Sequence, residues 1–311
     1  MKLELHFAPL QGYTEDAYRR LHHDIFGGVN TYYTPFLRLE HGTVRPKDLR
    51  DISAEHNQGL TVVPQVIANG GAELEALLPF VQAQGYWRVD INMGCPFPLQ
   101  TRHGRGAGLL LRPEKVGEIA DVMLAHPEIS FSLKMRLGME SCDEWRDVLP
   151  IVNRMPLAHL CVHPRVARQQ YKGEVNMEAF ESLVNATRHP VIYNGDIVSV
   201  EMMTRLQARF AGRLHGFMLG RGLLAQPWLA QEYVSGERLS CEAKRSLLLK
   251  LHTQLLAHFE LRIPDEAQRL NKIRTLWEYM EPTLGRKQWK RLMKAGNMRN
   301  YLALVEDLFV I

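Results

Sequence analysis

The chain has 311 residues, of which 46% are hydrophobic and 23% charged, with a net charge of +4. That length buries a large core without covalent staples, and those proportions exclude a disordered or fibrous chain. The four cysteines, Cys95, Cys142, Cys161 and Cys241, form no CxxC pair, no stretch reaches the roughly 18 apolar residues of a membrane span, and "MKLELHFAPLQGYTED" lacks a signal-peptide core.

These features argue against a metal site or a disulfide framework and for a reducing, cytoplasmic setting. In chain order, short apolar or alternating runs recur at 3–8, 31–36, 61–67, 87–92, 130–137, 157–163, 190–195 and 215–220. Helical patterns stand between them at 72–84, 113–125, 176–187 and 199–209. Pro113 marks a helix start, where its missing N–H is not needed, and Ser199 is a suitable N-cap. Eight strands alternating with helices predict a parallel sheet, and eight is the number that closes a (β/α)8 TIM barrel. A doubly wound open sheet is the alternative. The barrel is preferred because polar residues crowd the strands' C-terminal ends, the face on which barrel sites lie.

From about residue 241 the pattern becomes helical, with Leu247, Leu248, Leu251, Leu255 and Phe259 at helical spacing. We therefore divide the chain into a catalytic barrel, 1–240, and a small helical domain, 241–311. The second part holds 13 Lys and Arg against 8 Asp and Glu, and the first holds 25 against 26. The asymmetry points to a polyanionic partner, although a solvated helical surface gives the same composition. Within "GRKQWKRLMKAGNMR", Lys287, Lys290, Arg291 and Lys294 fall at helical i, i+3, i+4 and i+7, one face suited to phosphate.

Side chains alternate along a strand. In "SFSLKMRL" the apolar set Phe131, Leu133, Met135 and Leu137 faces the helices, and Ser130, Ser132, Lys134 and Arg136 face the barrel interior. Lys134 then stands in the barrel mouth, where a bound anion or an electron-rich heterocycle would offset its desolvation. Gln65, Asn92, His163, Asn194, Gly220 and Arg221 sit at other strand ends. Together they form a polar ring with little acidity, suited to a polar planar ligand rather than to paired-carboxylate hydrolysis. The turns "NGDI" and "GRG", after strands seven and eight, precede helix starts, the usual place for a ligand phosphate in a barrel. "GRGAG" at 104–108 is not a dinucleotide fingerprint.

Across nearly its whole length the chain resembles the tRNA-dihydrouridine synthases. The resemblance rests on "APLQGYTEDAYRRL", "DINMGCPFP" followed by "GRGAGLLLRPE", "KMRLG", "HPRVARQQYKG", "YNGDI" and "GRGLLAQPWL", in that order. It implies an FMN enzyme on a (β/α)8 barrel, a C-terminal helical domain that grips tRNA, and reduction of the C5–C6 bond of specific uridines with NADPH reloading the flavin. It implies that Pro9 and Leu10 run along the flavin ring and that Gln65, Lys134 and His163 hydrogen-bond it. Asn194, Gly195, Asp196, Gly220 and Arg221 would hold the ribityl phosphate. Asn92 would bind the uracil edge, and Arg165, Gln169 and Tyr171 would sit at the mouth. Lys272, Arg274, Lys287, Lys290, Arg291 and Lys294 are the expected tRNA contacts of the tail.

By the same resemblance Cys95 is the general acid, giving a proton to C5; a thiol with a pKa near roughly 8.5 is mostly protonated at neutral pH. A monomer is expected. Phe97 and Leu99–Gln100 depart from the small or basic residues usual after the cysteine, and "HPR" replaces the commoner HGR. Three other readings stay open at this stage: an FMN barrel acting on a small molecule, one acting on ribosomal RNA, and an RNA-binding barrel without catalysis.

Overall fold

The computed structural model describes residues 2–309, so Val310 and Ile311, the end of the expected helical domain, lie outside the described residues. Among the described residues eleven strands form in chain order: β1 (Glu4–Phe7), β2 (Thr31–Tyr33), β3 (Leu39–Glu40), β4 (Thr43–Val44), β5 (Val62–Val63), β6 (Gln65–Val66), β7 (Arg88–Met93), β8 (Ser130–Gly138), β9 (Leu157–Val166), β10 (Val191–Tyr193) and β11 (Leu214–Leu219). All but β3 and β4 join one parallel sheet in the order β5-β2-β1-β11-β10-β9-β8-β7-β6.

The two ends of that order are consecutive in the chain. Pro64 separates β5 from β6, so the expected strand 61–67 is delivered in two pieces. Pro64 has no N–H to give to a ladder, yet its carbonyl accepts from the Asp90 N–H at 2.9 Å. Leu37 closes the seam: its N–H donates to Gln65 O at 2.8 Å, and Ile67 N–H donates to Leu37 O at 3.0 Å. Nine strand pieces thus make the eight staves of a closed barrel.

The helices between the staves start where local chemistry favours it. Ser199 accepts from Met202 N at 3.2 Å, Asn176 from Ala179 N at 2.9 Å, and Pro113 opens its helix. The hairpin β3–β4 was not expected from the sequence; His41 and Gly42, both at positive φ, make its turn.

Beyond Ser240 come helices Cys241–Arg262, Glu266–Arg274, Glu281–Leu284, Arg286–Met293 and Met298–Phe309. The buried residues of this helical region belong to the same continuous apolar core as the barrel's outer layer. Its centre is polar at one point. Tyr301 Oη accepts from Trp277 Nε1 at 2.7 Å and lies 2.8 Å from His252 Nε2. Burial pushes His252 down to about 4, so its neutral ring takes the tyrosine proton. At the junction, buried Glu232 accepts from Leu239 N and from Lys244. Among the described residues no helix is long and apolar enough to cross a membrane.

Candidate active site

A cavity of about 740 Å³ opens at the C-terminal ends of the staves, a size within the usual range for small-ligand sites. Ala8, Pro9, Leu10, Phe36 and Met218 give it apolar walls, and Asn92, Lys134, Arg136 and His163 give it a polar floor. Loops 194–198 and 220–222 close one end. They press together so tightly that a Cβ on Gly222 would lie 1.9 Å from Ile197 O, so only glycine fits there.

Cys95 stands on the loop after β7, 8% exposed. Its N–H and that of Gly94 both donate to Asn92 Oδ1, at 2.8 and 3.0 Å. The following segment folds back over it. Ala107 N–H donates to Cys95 O at 3.0 Å, and a Cβ on Gly106, which has φ +58, would strike Cys95 O at 2.8 Å. The "GRGAG" stretch therefore buttresses the cysteine rather than a phosphate. Arg136 completes the cradle, donating to Gly94 O at 2.9 Å and Val166 O at 3.0 Å. Phe97 and Leu99 project at the rim, 54% and 65% exposed.

The cavity is electropositive. Lys134 makes no hydrogen bond or ion pair among the described residues, and burial holds its ammonium below the usual lysine range. Among the described residues Asp196 is the sole acid on the wall, and it already faces Arg165 and Arg221. Two guanidiniums against one carboxylate leave a cationic end. Asp196 itself is left-handed at φ +44, a conformation aspartate tolerates better than most residues.

Burial and four neighbouring cations, Arg136 first, hold His163 well below its ordinary range, so it is neutral. Arg165 Nη1 lies 3.2 Å from His163 Nε2, and a guanidinium can only donate. His163 Nε2 is thus the acceptor, and Nδ1 carries the proton. Burial pushes the Cys95 thiol up, with the Phe97 N–H and the charges of Arg136, Lys134 and Arg38 acting the other way. The cysteine is therefore a protonated thiol at neutral pH, able to give a proton and poorly suited to nucleophilic attack.

Of the residues singled out from the sequence, Pro9, Leu10, Asn92, Cys95, Lys134, His163, Tyr171, Asn194, Gly195, Asp196, Gly220 and Arg221 all line this cavity. Others do not. Gln65 is fully buried beneath Asn92, with both ends of its carboxamide engaged by Asp90 and Asn92. Arg165 is not at the mouth: it is 1% exposed, behind His163, and also donates to Gly173 O. Gln169 is spent within its own loop, accepting from Val166 N and donating to Glu174 O.

Lys272 is taken up by Gly12 O at 2.9 Å and Glu15 at 2.7 Å, and Arg274 by Ala295 O. These two bind the chain to itself, and we reassign them from RNA contact to bracing. Lys287, Lys290, Arg291 and Lys294 are exposed, but the helix ends at Met293, so Lys294 caps it rather than extending its face. Arg291 pairs with Asp307 at 3.2 Å.

Sequence reading put Arg136 on the interior face beside Lys134 without giving it a role, and it passed over Arg38, Tyr279 and Pro282, among other lining residues. Tyr279 and Pro282 come from the helical region and had no local signal.

Comparison with known proteins accords with this geometry. The sequence profile described as dihydrouridine synthase (Dus) matches residues 6–307. A probable tRNA-dihydrouridine synthase of Staphylococcus aureus is 29% identical over 234 residues, covering 72% of this chain and 67% of that protein. The probable tRNA-dihydrouridine synthase 2 of Bacillus subtilis is 30% identical over 180 residues, covering 55% and 52%. Among solved structures, morphinone reductase superposes with a TM-score of 0.53 at 13% identity, over 78% of this chain and 88% of that one. The old yellow enzyme from Trypanosoma cruzi gives 0.52 at 11%, over 77% and 92%. At such identities these two attest the barrel fold alone.

Proposed function

The chain belongs to the dihydrouridine synthase family, and from that premise we propose that it is an FMN-dependent oxidoreductase that reduces uridines of tRNA to 5,6-dihydrouridine, with NADPH as reductant. The observation that carries this reading is a protonated thiol, Cys95, on the wall of an electropositive cavity whose floor presents Lys134 and His163.

The residues fit FMN by their chemistry. The cationic end made by Arg165, Asp196 and Arg221, with the close-packed loops around Gly222, suits a phosphate. The unpaired Lys134 suits a ring that gains negative charge, and the Nδ1–H of His163 supplies a neutral donor beside it. Bound FMN would deliver a hydride to C6 of the uracil. The chain's own part is then proton delivery and placement. Cys95 gives its proton to C5, Asn92 fixes the main chain that carries Cys95, and Lys134 holds charge without surrendering a proton of its own.

The uridine reaches this depth only by leaving its stack, and Tyr171, exposed at the mouth with Arg221 over its ring at 4.5 Å, offers a surface for the extruded nucleotide. The helical region from Cys241 onward, with its exposed basic helix, is the part proposed to grip the RNA backbone.

Cys95→Ala tests the reading. The variant retains its yellow flavin and its NADPH-driven flavin reduction, while uridine reduction falls by on the order of 10² or more, the usual worth of a positioned acid. Undiminished dihydrouridine formation would sink the acid role, and a colourless wild-type protein the flavin. Position-resolved mapping of dihydrouridine in RNA from cells lacking the protein separates a tRNA substrate from a ribosomal one.

A further inference from the structure

A file of buried polar side chains runs up the barrel interior from β8 to the cysteine loop. The Ser132 hydroxyl donates to Asp90 Oδ1 at 2.6 Å, and Gln65 Nε2 donates to Asp90 Oδ2 at 2.7 Å. Asn92 Nδ2 donates to Gln65 Oε1 at 2.7 Å. The N–H groups of Gly94 and Cys95 then donate to Asn92 Oδ1. Strand register sets this up, with Gln65 opposite Asp90 and Asp90 opposite Ser132, while Asn92 lies two residues on, on the same face. Asp90, Gln65 and Ser132 are buried and line no part of the cavity, so none of them touches a substrate.

The file has a direction. An ionised carboxylate only accepts, and main-chain N–H groups only donate. A carboxamide has one end of each kind. With an acceptor at Asp90, Gln65 turns its nitrogen down and its oxygen up. Asn92 must then do the same, which leaves its oxygen for the two N–H groups of the loop. Both ends of the file ask for the same orientation, so the two carboxamides have a single register and the cysteine's main chain a single height.

We propose that Asp90, acting through Gln65 and Asn92, is a positioning residue that sets where the Cys95 thiol stands in the cavity. Its catalytic consequence rests on the reading of Cys95 as proton donor; its structural half does not.

The test breaks the file at its middle link with Gln65→Met, of near-equal volume, and compares it with Asp90→Asn. The latter keeps an acceptor for Gln65 while its nitrogen donates to the Ser132 hydroxyl. The first readout is the rate of Cys95 alkylation by iodoacetamide, followed by peptide mass spectrometry, which requires no RNA, flavin or reductant. In Gln65→Met the freed loop should be alkylated faster, by about fivefold or more, and reoxidation of the reduced flavin by RNA should slow on the order of tenfold or more, as misplacement costs. Flavin reduction by NADPH should stay within about twofold of wild type, and Asp90→Asn, which keeps the acceptor but not its charge, should accelerate alkylation and slow reoxidation by less than Gln65→Met does.

Unchanged alkylation in Gln65→Met overturns the proposal, as does an equal loss of flavin reduction, which would make Gln65 a cofactor contact. If Gln65→Met does not fold, Ser132→Ala decides: alkylation faster by about twofold supports the file, and an unchanged rate refutes it. Should the wild type reduce no uridine at all, the functional reading fails while the alkylation result still judges the file.

Discussion

Burial pushes the Asp90 carboxyl up to about 6, with the donors Gln65 and Ser132 and the charge of Lys134 pulling it back. A folded pKa above the ordinary carboxylate value of roughly 3.9 means that the folded state holds this proton more tightly than the unfolded one. Stability from this group is therefore greatest at low pH, declines as pH rises from about 4 to about 6, and is level above that. Asp90→Asn has nothing to titrate there. The melting temperature of the variant relative to wild type should rise across that window, and a difference independent of pH in thermal melts would contradict the assignment. Cys95 gives a second residue-scale expectation. Since burial raises its thiol, its alkylation in the wild type should accelerate with pH only above neutrality; a plateau already reached at pH 7 would mean a thiolate and no proton to give.

Among the elements, the helices Cys241–Arg262 and Met298–Phe309 and the 3-10 turn Thr275–Trp277 between them meet at one hydroxyl. Tyr301→Phe leaves Trp277 Nε1 and His252 Nε2 buried without partners, which should cost about 2–4 kcal/mol in denaturant unfolding; a loss below about 0.5 kcal/mol would show that the pair relaxes elsewhere. The short helix Pro98–Thr101 carries the other exposed feature. Phe97 and Leu99 at the cavity rim are large and apolar, and Phe97→Ala should weaken capture of structured RNA severalfold more than that of a short single strand, with flavin content unchanged; equal effects on both substrates would deny it a role in holding the RNA open.

Elements were legible where their signals are local. Strand alternation placed Lys134, Asn92 and His163 in one ring, and caps such as Ser199 fixed helix starts. What was not legible depends on partners distant in sequence. Gln65 was expected at a ligand from its place on a strand and the family resemblance, and Arg165 from the resemblance alone, yet Asp90 and Asn92 claim one, and His163, Gly173 and Asp196 the other. The split at Pro64 follows from a missing N–H visible in the sequence. The hairpin at Leu39–Val44 shows in hindsight only in its His-Gly turn.

On the scale of the whole molecule, charge and shape divide between the two ends of the chain. Lys287, Lys290 and Lys294 are exposed, and among the described residues no acid is paired with them. Replacing all three with glutamate should weaken RNA binding and flatten the slope of log affinity against log salt by about 2 or more, while an unchanged slope would place the RNA elsewhere. The bracing residues make a different point. Lys272 reaches Gly12 and Glu15, and Arg262 reaches Asp16 at 3.0 Å; Tyr13 meets Tyr279 with ring centres 5.2 Å apart. The loop so gripped begins at Pro9 and Leu10, which are cavity wall. The two termini thus work as the jaws of one clasp, with the tail held in register to a wall some 260 residues earlier. A tail grafted from one such protein to another would have to bring residues 12 to 16 along with it, or the graft would arrive with its hinge left behind.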